Sequence, residues 1–296
     1  MGAGPVADGL SRREGASLNE RAAPSGASSL PIWHVEGAHT LFAGPLAYNA
    51  SHQHGAPVYL AGLYDAFRIR FAPGAWITCR TAFVPAGMPH ELDCGGAPLG
   101  VLYREPDAGA WALTGLMGPA EAVGSALVGR GGEVGPLRSL FERRDACDWA
   151  GEAIADLSGF AARRVDRPVD PRIAKVLVDL RARPEAWMSA GRLATAASLS
   201  SSRMQHLFSA TMGVPFRRYR GWLRMRRAIA AVVRGANFTG AAHEAAFADQ
   251  AHFANAFRRT FGAPASYSLQ DIRRPSPSRP SGTITHARQH EHPEGG

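Results

Sequence analysis

The chain has 296 residues, room for two domains of ordinary size, with 33 Lys+Arg against 25 Asp+Glu. The excess is uneven: residues 171–270 carry 15 basic against 4 acidic side chains, while residues 1–170 carry 14 against 18. A strongly basic segment beside an acidic one argues for a phosphate-facing surface confined to the C-terminal half, and no apolar run approaches the ~20 residues of a membrane span. Only Lys175 is not arginine among the basic residues; genomic GC bias accounts for Arg over Lys but not for the asymmetry.

The three cysteines, Cys79, Cys94 and Cys147, have no CxxC or metal spacing and read as free thiols of a reducing cytosol. The start of the chain has no apolar segment of signal-peptide length. A soluble, cytoplasmic protein with no membrane partner is expected. Residues 1–29, rich in Gly, Ala, Ser and Pro, are expected to be disordered.

From residue 30 the pattern changes. Short apolar runs recur between turn signals at Pro31–Val35, Thr40–Ala43, Pro57–Leu63, Ala66–Phe71, Ala75–Cys79, Thr81–Val84 and Leu99–Tyr103. Their length and spacing predict a small antiparallel sandwich or barrel. Two motifs stand inside it, His52-x-His54 and Pro85-x-Gly87-x-x-His90. The second resembles the Pro-x-Gly-x-x-His turn of the cupin barrels, and the first resembles half of the cupin HxH element. Metal-binding cupins carry a glutamate a few residues after the HxH, whereas Gly55 to Leu63 contains no acid. His52, His54 and His90 could still hold a divalent ion. The alternative is that they line an apolar sensory pocket, and no metal or other cofactor is expected. Tyr59, Tyr64, Trp76 and His90 are candidate effector-pocket residues, or else ordinary barrel core.

From Pro106 the composition turns helical. Ala110–Leu127 is Ala/Leu-rich, Gly129–Gly135 is a break, and Leu137–Arg144 and Cys147–Arg163 read as amphipathic helices. These either cap the barrel or form a dimer surface. Residues 163–170, charged and Pro-bearing, read as a linker, with a supporting helix over Ile173–Leu180 after it.

Residues 190–211 and 238–261 then read as two helix-turn-helix units. In the second helix of the first unit, Met204, Leu207 and Phe208 form an apolar back, leaving Ser202, Arg203, Gln205 and His206 on the front. In the second unit Phe253, Ala256 and Phe257 form the back, and Gln250, Ala251, Ala254 and Asn255 lie opposite. Fronts of this chemistry suit base edges in the major groove. Between the units, Val214–Arg234 reads as one helix with Tyr219, Trp222, Leu223, Ile229 and Val233 inward and Arg217, Arg218, Arg220, Arg224, Arg226 and Arg227 outward. Twenty-one helical residues span about 30 Å, close to the ~34 Å between successive groove faces. Residues 271–296 are low-complexity and expected to be disordered, His286, His290 and His292 included.

The C-terminal hundred residues resemble the AraC/XylS transcription regulators. The matching positions are Leu193-Ala194, Ser200, Leu207-Phe208, Thr211-x-Gly213-x-Pro215 and Tyr219, then Phe247-x-Asp249-Gln250-x-His252-Phe253, Phe257-Arg258-Arg259 and Phe261-Gly262-x-Pro264. Ser198 and Ala246 replace the corner glycines, so each turn must form without the residue best suited to positive φ. Gly240 inside the preceding helix should weaken it by up to ~1 kcal/mol.

Together these readings predict an α+β multidomain chain. A cupin-like antiparallel β-barrel with flanking helices (30–162) precedes an all-α double helix-turn-helix domain (171–270). The resemblance implies a non-enzymatic, sequence-specific transcription regulator or activator that binds double-stranded promoter DNA, senses a small-molecule effector, meets RNA polymerase and works as a homodimer. Base-reading positions would be Ser202, Arg203, Gln205, His206, Gln250, Ala251 and Asn255, with Arg217, Arg218, Arg224 and Arg258 on phosphates. The rival readings are a metal-dependent cupin enzyme with a basic DNA-binding appendage, and a non-specific architectural binder.

Overall fold

The computed structural model describes residues 30–143, 145–162, 169–182 and 189–274. The disorder expected of residues 1–29, that expected of 271–296 beyond residue 274, and nearly all of the expected linker fall outside them; residues 271–274, expected to be disordered, are instead packed down, with Ile272 and Arg273 buried.

Residues 30–129 form two antiparallel sheets. The larger runs in the order β1 (Ile32–Glu36), β2 (His39–Pro45), β9 (Pro98–Arg104), β4 (Val58–Gly62), β7 (Thr81–Val84), β11 (Ala126–Gly129), β10 (Ala120–Val123). The smaller runs β3 (Tyr48–His52), β8 (His90–Asp93), β5 (Phe67–Arg70), β6 (Trp76–Cys79). Phe67, Ile69 and Leu92 of the smaller sheet pack with Val58, Leu60 and Val101 of the larger. The sheets stay open at their edges and do not close into the expected barrel. All seven predicted strand runs are strands, but β3, β8 and the β10–β11 hairpin were not foreseen. The helical expectation for Ala110–Leu127 fails beyond a 3-10 helix at Ala110–Leu116. Gly118 and Pro119 stop it, and Gly124, at φ 61°, turns the hairpin instead.

Alternation sorts the larger sheet into two faces. Tyr59, Ala61 and Leu102 face α1 (Gly135–Glu142) and α2 (Ala146–Ala162), which contribute Leu137, Leu140, Phe141, Ile154 and Leu157. Val58, Leu60, Val101 and Tyr103 face the other way, into a core continuous with that of the helical region.

That region comprises α3 (Pro171–Ala182), α4 (Ala190–Ala196), α5 (Ser201–Met212), α6 (Phe216–Val233), α7 (Phe238–Glu244), α8 (Gln250–Phe261) and α9 (Ser266–Leu269). Its two units repeat one local code. Ser189 and Asn237 cap α4 and α7, accepting from the backbone N–H of Arg192 and Gly240; Ser200 and Asp249 cap α5 and α8, accepting from those of Arg203 and His252. Gly213 and Gly262 end α5 and α8 at φ 73° and 74°. The corners turn on Ser198 and Ala246, at φ 55° and 56°, so the positions where glycine was missed are left-handed in fact.

A polar seam joins the helices to the sheets. Glu105, which follows β9, is 1% exposed and accepts hydrogen bonds from Tyr219 Oη (2.5 Å), Arg226 Nη1 (2.7 Å) and Trp222 Nε1 (3.1 Å). Arg226 also donates to Thr40 Oγ1 and to the carbonyls of Gly37 and His39. It is therefore buried at 9% exposure, which corrects the expectation that it faces outward. The reason lies in the helical period: 219, 222, 226 and 229 form one stripe, and Glu105 lets a cation occupy it. Arg181 of α3 forks onto Asp107 at 2.5 and 2.7 Å and reaches Tyr219 Oη at 2.8 Å. Backbone contacts extend the seam. Trp33 Nε1 donates to Ser268 O (2.7 Å), Asn49 Nδ2 to Phe261 O (2.7 Å) and Ala50 N to Gly262 O (3.0 Å). Beyond α9, Arg273 bridges to Ile32 of β1 and donates to the carbonyls of Leu30, Phe141 and Arg143.

Two outcomes follow from these placements. Replacing Ser198 or Ala246 by glycine should stabilise the fold by about 0.5–1 kcal/mol each, read as a raised urea midpoint at constant m-value, whereas no gain would mean these corners carry no strain. Glu105→Ala should destabilise by about 3–5 kcal/mol in the same measurement, because it strands buried Arg226 and the Tyr219 and Trp222 donors; a loss under ~1 kcal/mol would show the seam to be incidental.

Candidate nucleic-acid interface

The two reading helices are built alike. On α5, Met204 and Phe208 are buried while Ser202, Arg203, Gln205 and His206 are exposed; on α8, Phe253, Phe257 and Phe261 are buried while Gln250, Ala251, Ala254 and Asn255 are exposed. Amide and imidazole groups on one face can pair with base edges, provided the helix is held from behind. Aromatic packing does the holding. Phe208 lies 5.3 Å from Phe216 and 5.4 Å from Tyr219, and Phe253 packs on Phe238 and Phe247 at 5.9 and 5.6 Å.

Several exposed groups have local partners. Gln205 Nε2 lies 3.4 Å from Ser201 Oγ, and Gln250 Oε1 accepts from Thr239 Oγ1 at 2.8 Å. Both bonds are at the surface and exchange readily for bonds to a ligand.

Between the units runs α6, whose 18 residues span about 27 Å, slightly less than expected. Its outer side forms a groove with α5 and α8, lined by Arg217, Arg218, Arg220 and Arg224 together with Gln205 and Arg259. Arg217 is exposed and Arg218 half-buried; Arg258 is exposed on α8. Arg224 has a different task. It lies 4.3 Å over the Phe247 ring and donates to the carbonyls of Ala245 and Ala246, so it pins the second corner in its left-handed turn.

On the far side of α8, against the sheets, lies an apolar cavity of about 320 Å³. Trp33, Phe42, Leu46, Tyr103, Phe257 and Phe261 line it, with Asn49, His52 and His54 as polar groups. Of the predicted pocket residues, Tyr59 and Tyr64 sit on the opposite face of the larger sheet, with their hydroxyls on Leu116 O and Glu142 Oε1. Trp76 lies on the smaller sheet beneath Arg70, 4.8 Å from its centroid, and neither these three nor His90, the fourth expected pocket residue, lines the cavity. The parity of Val58–Gly62 carries the distinction, since Leu60 faces the cavity and Tyr59 cannot.

The two histidine motifs do meet. Gly87 of the turn, at φ 78°, donates its N–H to His54 O at 2.8 Å, and the rings of His52, His54 and His90 lie 4.3 to 5.1 Å apart. All three are buried. Burial holds His52 down to about 3 and His90 to about 4, and pushes His54 well below its ordinary value, so the rings are neutral.

Comparison with known proteins agrees with this construction. A helix-turn-helix domain family matches residues 193–269. Apo ToxT from Vibrio cholerae superposes with a TM-score of 0.54 at 11% identity, covering 79% of this chain and 98% of that one. ToxT with an unsaturated fatty acid bound gives 0.53 at 10%, covering 81% and 98%. A Chromobacterium violaceum regulator described by its AraC-type DNA-binding domain overlaps 33% of this chain and 89% of that one at 19% identity, with a TM-score of 0.32. No curated protein sequence matches the chain. No described helix is long and apolar enough to cross a membrane. Residues 193–269 thus match a helix-turn-helix domain family, carried behind an antiparallel β region in a two-part fold similar to that of ToxT.

Proposed function

We propose that this chain is a sequence-specific transcription regulator that reads promoter DNA with α5 and α8 and takes a small effector into the cavity behind α8. The observation that carries the reading is the shared design of the two helices. Each has a buried aromatic back and an exposed front of Gln, Asn, Arg or His, and arginines fill the groove between them. Phosphate neutralisation alone would not need amide side chains on those fronts, which disfavours a purely architectural binder. Among the described residues the carboxylate expected beside a cupin-type metal is missing from Gly55–Leu63, which disfavours the metalloenzyme reading. A regulator of this kind acts in the cytoplasm, as a homodimer, and contacts RNA polymerase as an activator.

For the effector, the cavity favours a molecule with an apolar body and one polar end directed at Asn49 and His54. ToxT has been captured with an unsaturated fatty acid and with a naphthyl-butenoic acid, molecules of that general shape. Because α8 forms one wall, filling the cavity acts on a reading helix directly, and its influence equals its preference for one arrangement of α8 over another.

Phosphate contacts are assigned to Arg217, Arg218 and Arg258, and Arg224 is reassigned to holding the second corner. Replacing Arg217 by Ala should weaken every DNA sequence alike and lower the salt slope by about one; a loss confined to the preferred site would move Arg217 to base reading.

Base reading is tested by selecting bound DNA from a random pool. Gln205→Ala should reduce affinity for the selected site by ~1–3 kcal/mol and relax preference at one or two base pairs. Asn255→Ala should have the smaller effect, because its short side chain demands close approach and Gly240 weakens the helix supporting α8. Unchanged selection by both variants would sink the reading, and equal losses would sink the asymmetry.

A further inference from the structure

We propose that the β region itself touches DNA, through Gln53, whose side-chain amide donates to a backbone phosphate between the segments read by α5 and α8. The inference rests on the DNA-reading assignment above and adds a contact from outside the helical units. The observation that points to it is the lining of the groove between α5 and α8. Beside Arg217, Arg218 and Arg259 of the helices, that groove holds Gln53, from the segment that joins β3 to β4. None of the residues lining it is acidic, so an anion meets no opposing charge there.

The placement of Gln53 follows from alternation carried past the end of β3. His52 and His54, at 4% and 3% exposure, line the apolar cavity, so Gln53 between them turns the opposite way and lies half-buried in the groove. The backbone on both sides of it is fastened. His52 Nδ1 donates to Ala50 O at 2.7 Å, and Gly87 N–H donates to His54 O at 2.8 Å. Gly55 then lies so close to α6 that a Cβ there would run into Trp222, the side chain that Glu105 holds. Gln53 is thus set at one height beside α6, and no hydrogen bond ties its side-chain amide to another described residue.

A phosphate is the expected partner because of where the groove lies. With the fronts of α5 and α8 in neighbouring major-groove segments, the floor between them faces the sugar–phosphate backbone that separates those segments. Glutamine is among the side chains that bond phosphate oxygens and so set register without reading sequence. The same short segment lines the effector cavity on one side and this groove on the other. A change in how β3 sits behind α8 is therefore felt at the DNA.

The test uses the full chain and DNA selected from a random pool. Gln53→Ala should weaken binding about 3- to 10-fold, the worth of one hydrogen bond, on selected and unrelated DNA alike. Its salt slope should stay unchanged, because a neutral amide displaces no counterion. Gln53→Arg should bind more tightly and steepen the slope by about one, an effect that a purely structural role would not produce. For position, Gln53→Cys is placed in a Cys147→Ser chain, in which Cys79 and Cys94 are buried, and labelled with iron–EDTA. Cleavage should centre on the backbone between the segments read by α5 and α8. An unchanged slope in Gln53→Arg, or no cleavage between those segments, would overturn the contact when Arg217→Ala still lowers the slope. A wild-type chain that selects no site would instead overturn the DNA reading on which the contact rests.

Discussion

A single buried carboxylate holds the two halves of this molecule in register. Glu105 sits at the end of the central strand β9 and receives three side chains from α6, the helix that carries both reading units. A carboxylate so buried is tolerable only with full pairing, and removing any partner exposes the desolvation penalty of the rest. The pairing thus gives α6 one rotation and one height on the sheet. Burial and the neighbouring Glu105 charge hold the Tyr219 phenol well above its ordinary value, so it stays a donor across the working pH range. From α6 the constraint passes outward: Phe208 packs at a tilt against Tyr219, and Arg224 pins the second corner, so the fronts of α5 and α8 depend on what happens behind them.

The same seam explains why the cavity and the histidine cluster lie where they do. The sheets offer α8 a concave apolar face, and Phe257 and Phe261 cover it without filling it. Asn49, Ala50 and Trp33 tie down the polar backbone around the rim, which would otherwise be buried unsatisfied. A ligand in that space would act on the last turn of α8, where Phe257 and Phe261 line it. Neither α4 nor α5 lines the cavity, but the end of α5 meets the β region elsewhere, Thr211, Met212 and Gly213 sharing a groove with Pro85 and Ala86.

Much of the DNA-binding region is legible in the residues because its code is local. Caps at Ser189, Ser200, Asn237 and Asp249, glycines at 213 and 262, and a helical apolar period leave few alternatives. Even the two missing corner glycines point to the left-handed residues, Ser198 and Ala246. The β region is less legible, since strand partners are set by contacts distant in sequence. Strands β3 and β8 are too short and mixed to stand out, and Ala110–Leu127 has a helix-like composition that its glycines and Pro119 overrule. The candidate pocket residue Tyr59 fails on parity, a signal present in Val58–Gly62, whereas Tyr64 lies past the end of that strand, where alternation no longer places it. Glu105 and Thr40 carry no motif, and their importance comes only from meeting Arg226 across more than a hundred residues. Arg226 itself is readable in hindsight, because it stands on the stripe of Tyr219, Trp222 and Ile229.

Through this seam the sheets and the helix-turn-helix units form one cooperative body. Differential scanning calorimetry of the full chain tests it directly, by comparing the calorimetric with the van't Hoff enthalpy. A single transition in which the two agree is the expected result. Two separable transitions, one for the β region and one for the helices, would contradict it.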